Sequence, residues 1–69
     1  MKVYITFGQI HVHSVNGKTF DKNCVAVIEC SSYSDGREKA FGYFLDKWHN
    51  CYEDEPEMFW FPRGLIEVN

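Results

Sequence analysis

Between Cys24 and Cys30 the chain reads Cys-Val-Ala-Val-Ile-Glu-Cys, apolar at nearly every position, and two residues later a helical period begins. That junction constrains the fold more than any other feature. A strand apolar on both sides is a central strand, with both faces covered, or with one covered and the other carrying long side chains. Cys24, Ala26, Ile28 and Cys30 share one face, and Val25, Val27 and Glu29 the other. Such a strand needs neighbours and a lid, and the rest of the chain must supply both.

The lid is the segment that follows. Ser32-Tyr33-Ser34-Asp35 offers an N-cap serine with an acid three residues on, resembling a capping box, and Asp35 suits the positive end of the helix dipole. At 100° per residue, Ala40, Phe41, Phe44, Leu45 and Trp48 fall within one arc about 140° wide. The spacing predicts a helix from Ser34 to Trp48, ending near Asn50, with Tyr43 facing away from the core. Gly42 costs this helix ~1 kcal/mol relative to alanine. Either something approaches that outer face closely, or the cost is tolerated.

The neighbours come from both sides. Val3, Ile5 and Phe7 alternate with Tyr4 and Thr6, the period of a half-buried strand. The apolar parity then switches at Gly8 to Ile10 and Val12, as a glycine bulge or bend would make it. Asn16-Gly17 accepts the positive φ of a type I′ turn, so Ile10–Val15 and Lys18–Phe20 read as a short hairpin, with a structured loop as the alternative. From Cys51 to Pro62 no period is visible, and Gly64–Val68 alternates again as a last strand. The expected architecture is one α+β domain over residues 1–69. It is a small antiparallel sheet of three to four strands with one amphipathic helix packed on one face, in β-β-α-β order.

Size and composition limit the function classes. A chain of 69 residues buries only roughly 60% of its unfolded surface, so one core leaves it marginal. Aromatics make up 17% of the residues, more ring area than one helix-on-sheet core needs. The surplus is expected against a protein partner or, in a homo-oligomer, a second copy. A net charge of −3 argues against nucleic-acid binding, where a basic face supplies most of the affinity. Cys24, Cys30 and Cys51 are odd in number and form no CxxC pair, and Cys24 and Cys30 are too far apart on one strand to bridge. A reducing compartment follows. Met1-Lys2-Val3-Tyr4 enters strand pattern directly, without a signal peptide, and no apolar run approaches the ~18 residues of a membrane span. The expectation is a cytoplasmic protein without a cofactor.

Three groups of residues could carry chemistry. On a strand, His11 and His13 project from one face, as two metal ligands often do. A third ligand would come from Asp21, His49 or Cys51, but the spacing matches no zinc signature. The plainer reading is two polar residues on the open face of an edge strand. A small hydrolase or nuclease using His11, His13 and Asp21 is the enzymatic alternative. Cys24 and Cys30 sit where free cysteine packs as a small hydrophobe, and Cys51 reads either way. The third group is Glu53-Asp54-Glu55-Pro56-Glu57 running into Met58-Phe59-Trp60-Phe61. Aromatics and methionine beside charges describe an interface with a polar rim, and the alternative is a lid over the core. Exposed Tyr43 adds a further interface candidate. Phe61-Pro62-Arg63-Gly64 opens the last strand, and Arg63 is expected to pair with the acidic turn, anion binding being the alternative.

Thr6-Phe7-Gly8-Gln9 with His11 and His13, Gly17-Lys18-Thr19-Phe20-Asp21 running into Cys24-Val25-Ala26-Val27-Ile28, and Phe61-Pro62-Arg63-Gly64 with Ile66 carry a resemblance. In these stretches the chain resembles a family of small uncharacterised phage- and prophage-encoded proteins. The resemblance implies a phage accessory protein acting in the cytoplasm of a bacterial host, where such proteins often bind and block a host or defence protein. It assigns no catalytic residue. The leading expectation is therefore a non-enzymatic binding protein, an inhibitor working through Tyr43, Glu53, Asp54, Glu55, Met58, Phe59, Trp60 and Phe61. A small-ligand or metal-binding protein using His11 and His13 is the alternative.

Overall fold

The computed structural model describes residues 1–68; Asn69, the last residue of the expected domain, lies outside them. In chain order the elements are β1 (Lys2–Thr6), β2 (His13–Val15), β3 (Lys18–Phe20), β4 (Cys24–Glu29), helix α1 (Tyr33–Phe44), β5 (Asn50–Tyr52), a 3-10 turn (Met58–Trp60) and β6 (Gly64–Glu67). Four strands form one sheet in the order β5-β1-β4-β6, and β2 and β3 form a separate two-stranded sheet. The α+β class and the central place of β4 are as expected.

The sheet is mixed, not antiparallel throughout. β1 runs antiparallel to both β4 and β5, but β6 lies parallel to β4, with Cys24 opposite Gly64 and Val27 opposite Glu67. Parallel neighbours need a long crossover, and the stretch from Cys30 to Arg63, helix included, supplies it. Alternation in 64–68 identifies a strand but carries no direction. β5 is the second departure. It takes Asn50, where the helix was expected to end, and the first two residues of the expected loop, with Cys51 opposite Ile5, and is too short for alternation to show.

Gly8, at φ +67°, ends β1 instead of bending it. Ile10 and Val12 are exposed and outside any strand, so the hairpin begins only at His13. Its turn is as expected, with Asn16 at φ +53° and Gly17 at φ +77°.

The helix starts where the cap predicts. The Ser32 hydroxyl accepts the Asp35 backbone N–H at 3.1 Å, and the Asp35 carboxylate accepts the Ser31 N–H at 2.9 Å. The box therefore closes one residue earlier than the standard motif. The end is different: α1 stops at Phe44, and Leu45 turns out of it at φ +59°. Leu45 and Trp48 thus lie beyond the helix, and the buried stripe is Gly36, Ala40 and Phe44, with Tyr33 and Tyr43 packed at its margins. Phe41 is half exposed. Relative to the expected arc, the helix is rotated by roughly 70° at 100° per residue.

Gly36 sets how closely the helix approaches the sheet. A Cβ there would lie 2.6 and 2.7 Å from the two methyls of Val3 and 3.1 Å from the Cys30 sulfur. At Gly42 a Cβ would meet nothing within 4 Å, so the cost of that glycine is simply tolerated. Under the helix, Phe7, Phe20 and Phe44 are fully buried. Their ring centroids lie 4.9–5.6 Å apart, two of the pairs edge-on, in the range where aromatic pairs add to simple burial. On the opposite face, Val25 and Val27 are also buried. Their cross-strand neighbours Tyr4, Leu65 and Glu67 are the long side chains that flank them.

Candidate functional site

Thr6 and Tyr52 belong to the sheet face turned away from α1, because their neighbours Ile5, Phe7 and Cys51 belong to the core cluster under the helix. After β5 the chain folds back beside these two residues. Glu53, Asp54 and Glu55 are exposed, Pro56 is half-buried, and the 3-10 turn follows. The turn is closed by Trp60 N–H to the Glu57 carbonyl at 3.3 Å and Phe61 N–H to the Met58 carbonyl at 3.0 Å. It divides the expected aromatic cluster in two. Met58 and Phe61 are half-buried, while Phe59 and Trp60 are 83% and 69% exposed. These two rings meet edge to face, 5.1 Å apart.

Between the turn and the sheet lies a cavity of about 630 Å³. Tyr52, Trp60 and Phe61 give it an aromatic side, with Pro56. Lys22, Gln9, His49 and Glu57 line it with polar groups. Each wall is anchored. The Arg63 N–H donates to the Asn23 carbonyl at 2.8 Å and its guanidinium pairs with Asp21 at 3.2 Å, while the Asn23 N–H reaches the Asp21 carboxylate at 2.9 Å. Lys22 sits between the two clamped residues. Arg63 therefore pairs with Asp21 and not, as expected, with the acidic turn. Opposite, the His49 N–H donates to the Thr6 carbonyl at 2.7 Å. Gly8 allows His49 to come close, since a Cβ there would lie 3.3 Å from the His49 Cβ.

The remaining expected residues are elsewhere. Tyr43 is not on an open face: it is half-buried against the core, 6.1 Å from the Phe44 ring. His11 and His13 do not share a strand, since β2 begins at His13. The His13 ring lies edge-on to Phe44 at 6.1 Å. Among the described residues no three His, Cys, Asp or Glu side chains are placed to hold a metal ion. Asp21 is engaged by Arg63 and Asn23, which leaves the triad of His11, His13 and Asp21 without an assembled site.

All three cysteines are free and buried. Burial pushes the Cys24 and Cys51 thiols above their ordinary range. For Cys24 the Asp21 backbone, and for Cys51 the nearby Arg37, pull the other way more weakly. A thiol held protonated is a poor nucleophile.

Sequence reasoning reached Pro56, Glu57, Trp60 and Phe61, weighed His49 only as a metal ligand, and missed Tyr52, Gln9 and Lys22. Lys22, Gln9 and His49 come from three separate connections that only the fold brings together. The parity break at Gly8 was the one available signal. No helix among the described residues is long and apolar enough to cross a membrane. No protein-family model, no curated protein and no solved structure matches the chain.

Proposed function

We propose that this chain is a non-enzymatic binding protein of the phage accessory kind, which docks a protein of a bacterial host through the segment 53–61 and blocks it. The observation that carries this reading is the placement of Phe59 and Trp60. Both rings stand in solvent, although apolar area of this size is worth several kcal/mol when buried. They stand on a turn whose backbone hydrogen bonds and neighbouring Arg63–Asp21 pair hold it in shape. A pre-shaped aromatic tip loses little entropy on binding.

The carboxylates around it supply the rim. The segment 49–62 contains Glu53, Asp54, Glu55 and Glu57 and no lysine or arginine, so the rest of the chain, at a total of −3, is one charge positive. A partner with a basic, apolar-pocketed surface fits this distribution. The rim steers its approach, and the rings carry the affinity.

The test compares Trp60→Ala with Ile10→Ala, a change at another exposed apolar residue (84% exposed). Both variants should melt close to wild type by circular dichroism. A partner retained from bacterial lysate by wild type should be kept by Ile10→Ala and lost by Trp60→Ala, a cost of about 2 kcal/mol or more. Its capture should weaken steeply with added salt. A folded Trp60→Ala protein that binds normally would remove the segment from the interface, and an unfolded one would place Trp60 in the core.

A further inference from the structure

We infer that the cavity between the 3-10 turn and the sheet receives a cationic side chain, an arginine or lysine presented by the docked partner. This rests on the docking reading above and specifies what that surface recognises. Three observations carry it.

The first is charge. The segment that forms one wall holds four carboxylates and no basic residue, so partners that approach it are selected for positive charge. The second is the character of the lining. Tyr52, Trp60 and Phe61 line the cavity together with Glu57. A guanidinium or ammonium within about 6 Å of such a ring face is held by the ring quadrupole, and a carboxylate beside it adds a charge-assisted hydrogen bond. Glu57 is exposed and takes part in neither the Lys39–Asp35 nor the Arg63–Asp21 ion pair. The third is that the space exists before any ligand arrives. At about 630 Å³ it lies within the roughly 300–1,000 Å³ typical of ligand sites, and the Arg63–Asp21 and His49–Thr6 contacts fix its walls.

Lys22 makes the inference sharp. It is the one lysine or arginine in the lining, and its neighbours Asp21 and Asn23 hold its backbone in place. Towards a cationic guest its charge is repulsive, so removing it strengthens binding. Towards an anionic guest that stacks on the same rings, such as a nucleotide, its charge is the main attraction, and removing it abolishes binding. The sign of one substitution separates the two chemistries.

The experiment is an amide and indole NMR titration of the whole chain with Nα-acetyl-arginine methylamide, and in parallel with adenosine monophosphate. Each is taken to about 20 mM, where a millimolar site is filled. The arginine derivative should shift the Trp60 indole and the amides of Glu57 and Phe61. Its affinity should fall about two- to fivefold in Glu57→Gln and rise by a similar factor in Lys22→Ala. Shifts with adenosine monophosphate that vanish in Lys22→Ala would overturn the proposal in favour of an anion site. Absence of shifts with either compound would overturn it outright. The docking reading is scored separately: a partner lost in Trp60→Ala but bound normally by Glu57→Gln would leave the docking surface standing and the cation pocket refuted.

Discussion

Replacing Gly36 by alanine adds one methyl group to the buried face of α1, and the neighbouring Gly42 offers the same change on an open face. At Gly36 the new carbon would meet both Val3 methyls at 2.6 and 2.7 Å, against the 3.5–4.0 Å of an ordinary carbon contact. Rotating Val3 about χ1 cannot clear both methyls at once, because a β-branched side chain always keeps two heavy atoms on Cβ. The helix must therefore lift by about 1 Å, which loosens Ala40 and Phe44 as well. Overpacking of this kind costs about 1–3 kcal/mol. Alanine returns up to ~1 kcal/mol of helix propensity at either position, so Gly42→Ala should stabilise and Gly36→Ala should destabilise. The gap between the two variants, about 1–3 kcal/mol, isolates the packing cost because propensity cancels. Urea denaturation followed by circular dichroism and tryptophan fluorescence reads it directly. In a Val3→Ala background the clash with the two methyls disappears, leaving only the 3.1 Å approach to the Cys30 sulfur, and the double-mutant cycle should show a favourable coupling of about 0.5–3 kcal/mol. A Gly36→Ala protein as stable as Gly42→Ala would refute the close approach of helix and sheet.

Phe44→Ala should cost about 3–5 kcal/mol, since its ring contacts both Phe7 and Phe20 in the fully buried core; a denaturation shift below ~1 kcal/mol would place it outside. The Ser31 N–H, with help from Lys39, holds the Asp35 carboxyl below its ordinary value of 3.8. A depressed folded pKa means stability that is complete above the unfolded value and lost as pH falls through the folded one. The difference in stability between wild type and Asp35→Asn should therefore stay constant from neutral pH down to about pH 5 and close only below about pH 4. Closure near pH 6 in a denaturation series would assign the effect to another group.

How much of this molecule the sequence revealed depends on whether the determining contact was local. The Ser32 cap, the Asn16-Gly17 turn, the alternation in β1 and the central strand β4 are decided by neighbours in the chain, and all were legible. The helix face was misjudged for a specific reason. Leu45 and Trp48 satisfied the period, yet the chain leaves the helix at Leu45, and the two residues drew the expected arc away from the true stripe. Gly36, at the N-terminal end of that stripe, has no side chain and leaves no mark on a hydrophobic pattern. The expected pairing of Arg63 with the acidic turn relied on proximity in sequence. The fold gives it Asp21 instead, because the parallel docking of β6 brings residue 63 beside the β3–β4 connection. The cavity was out of reach for the same reason, since its polar wall is gathered from residues 9, 22 and 49.

The parallel seat of β6 also has a consequence for the order in which the chain is made. β4 carries the most apolar run in the protein, and β1, synthesised before it, can close only one of its edges. The other edge stays open until Gly64–Glu67 emerges, after the other strands described here have left the ribosome. Through the synthesis of α1, β5 and the acidic segment, a nascent chain therefore presents an unpaired strand edge, which is a template for pairing with other chains. The carboxylates at 53–57 emerge during that interval and add negative charge just before the edge is covered. They give nascent copies a mutual repulsion while pairing between them is still open, so the same charges can protect assembly before they serve recognition.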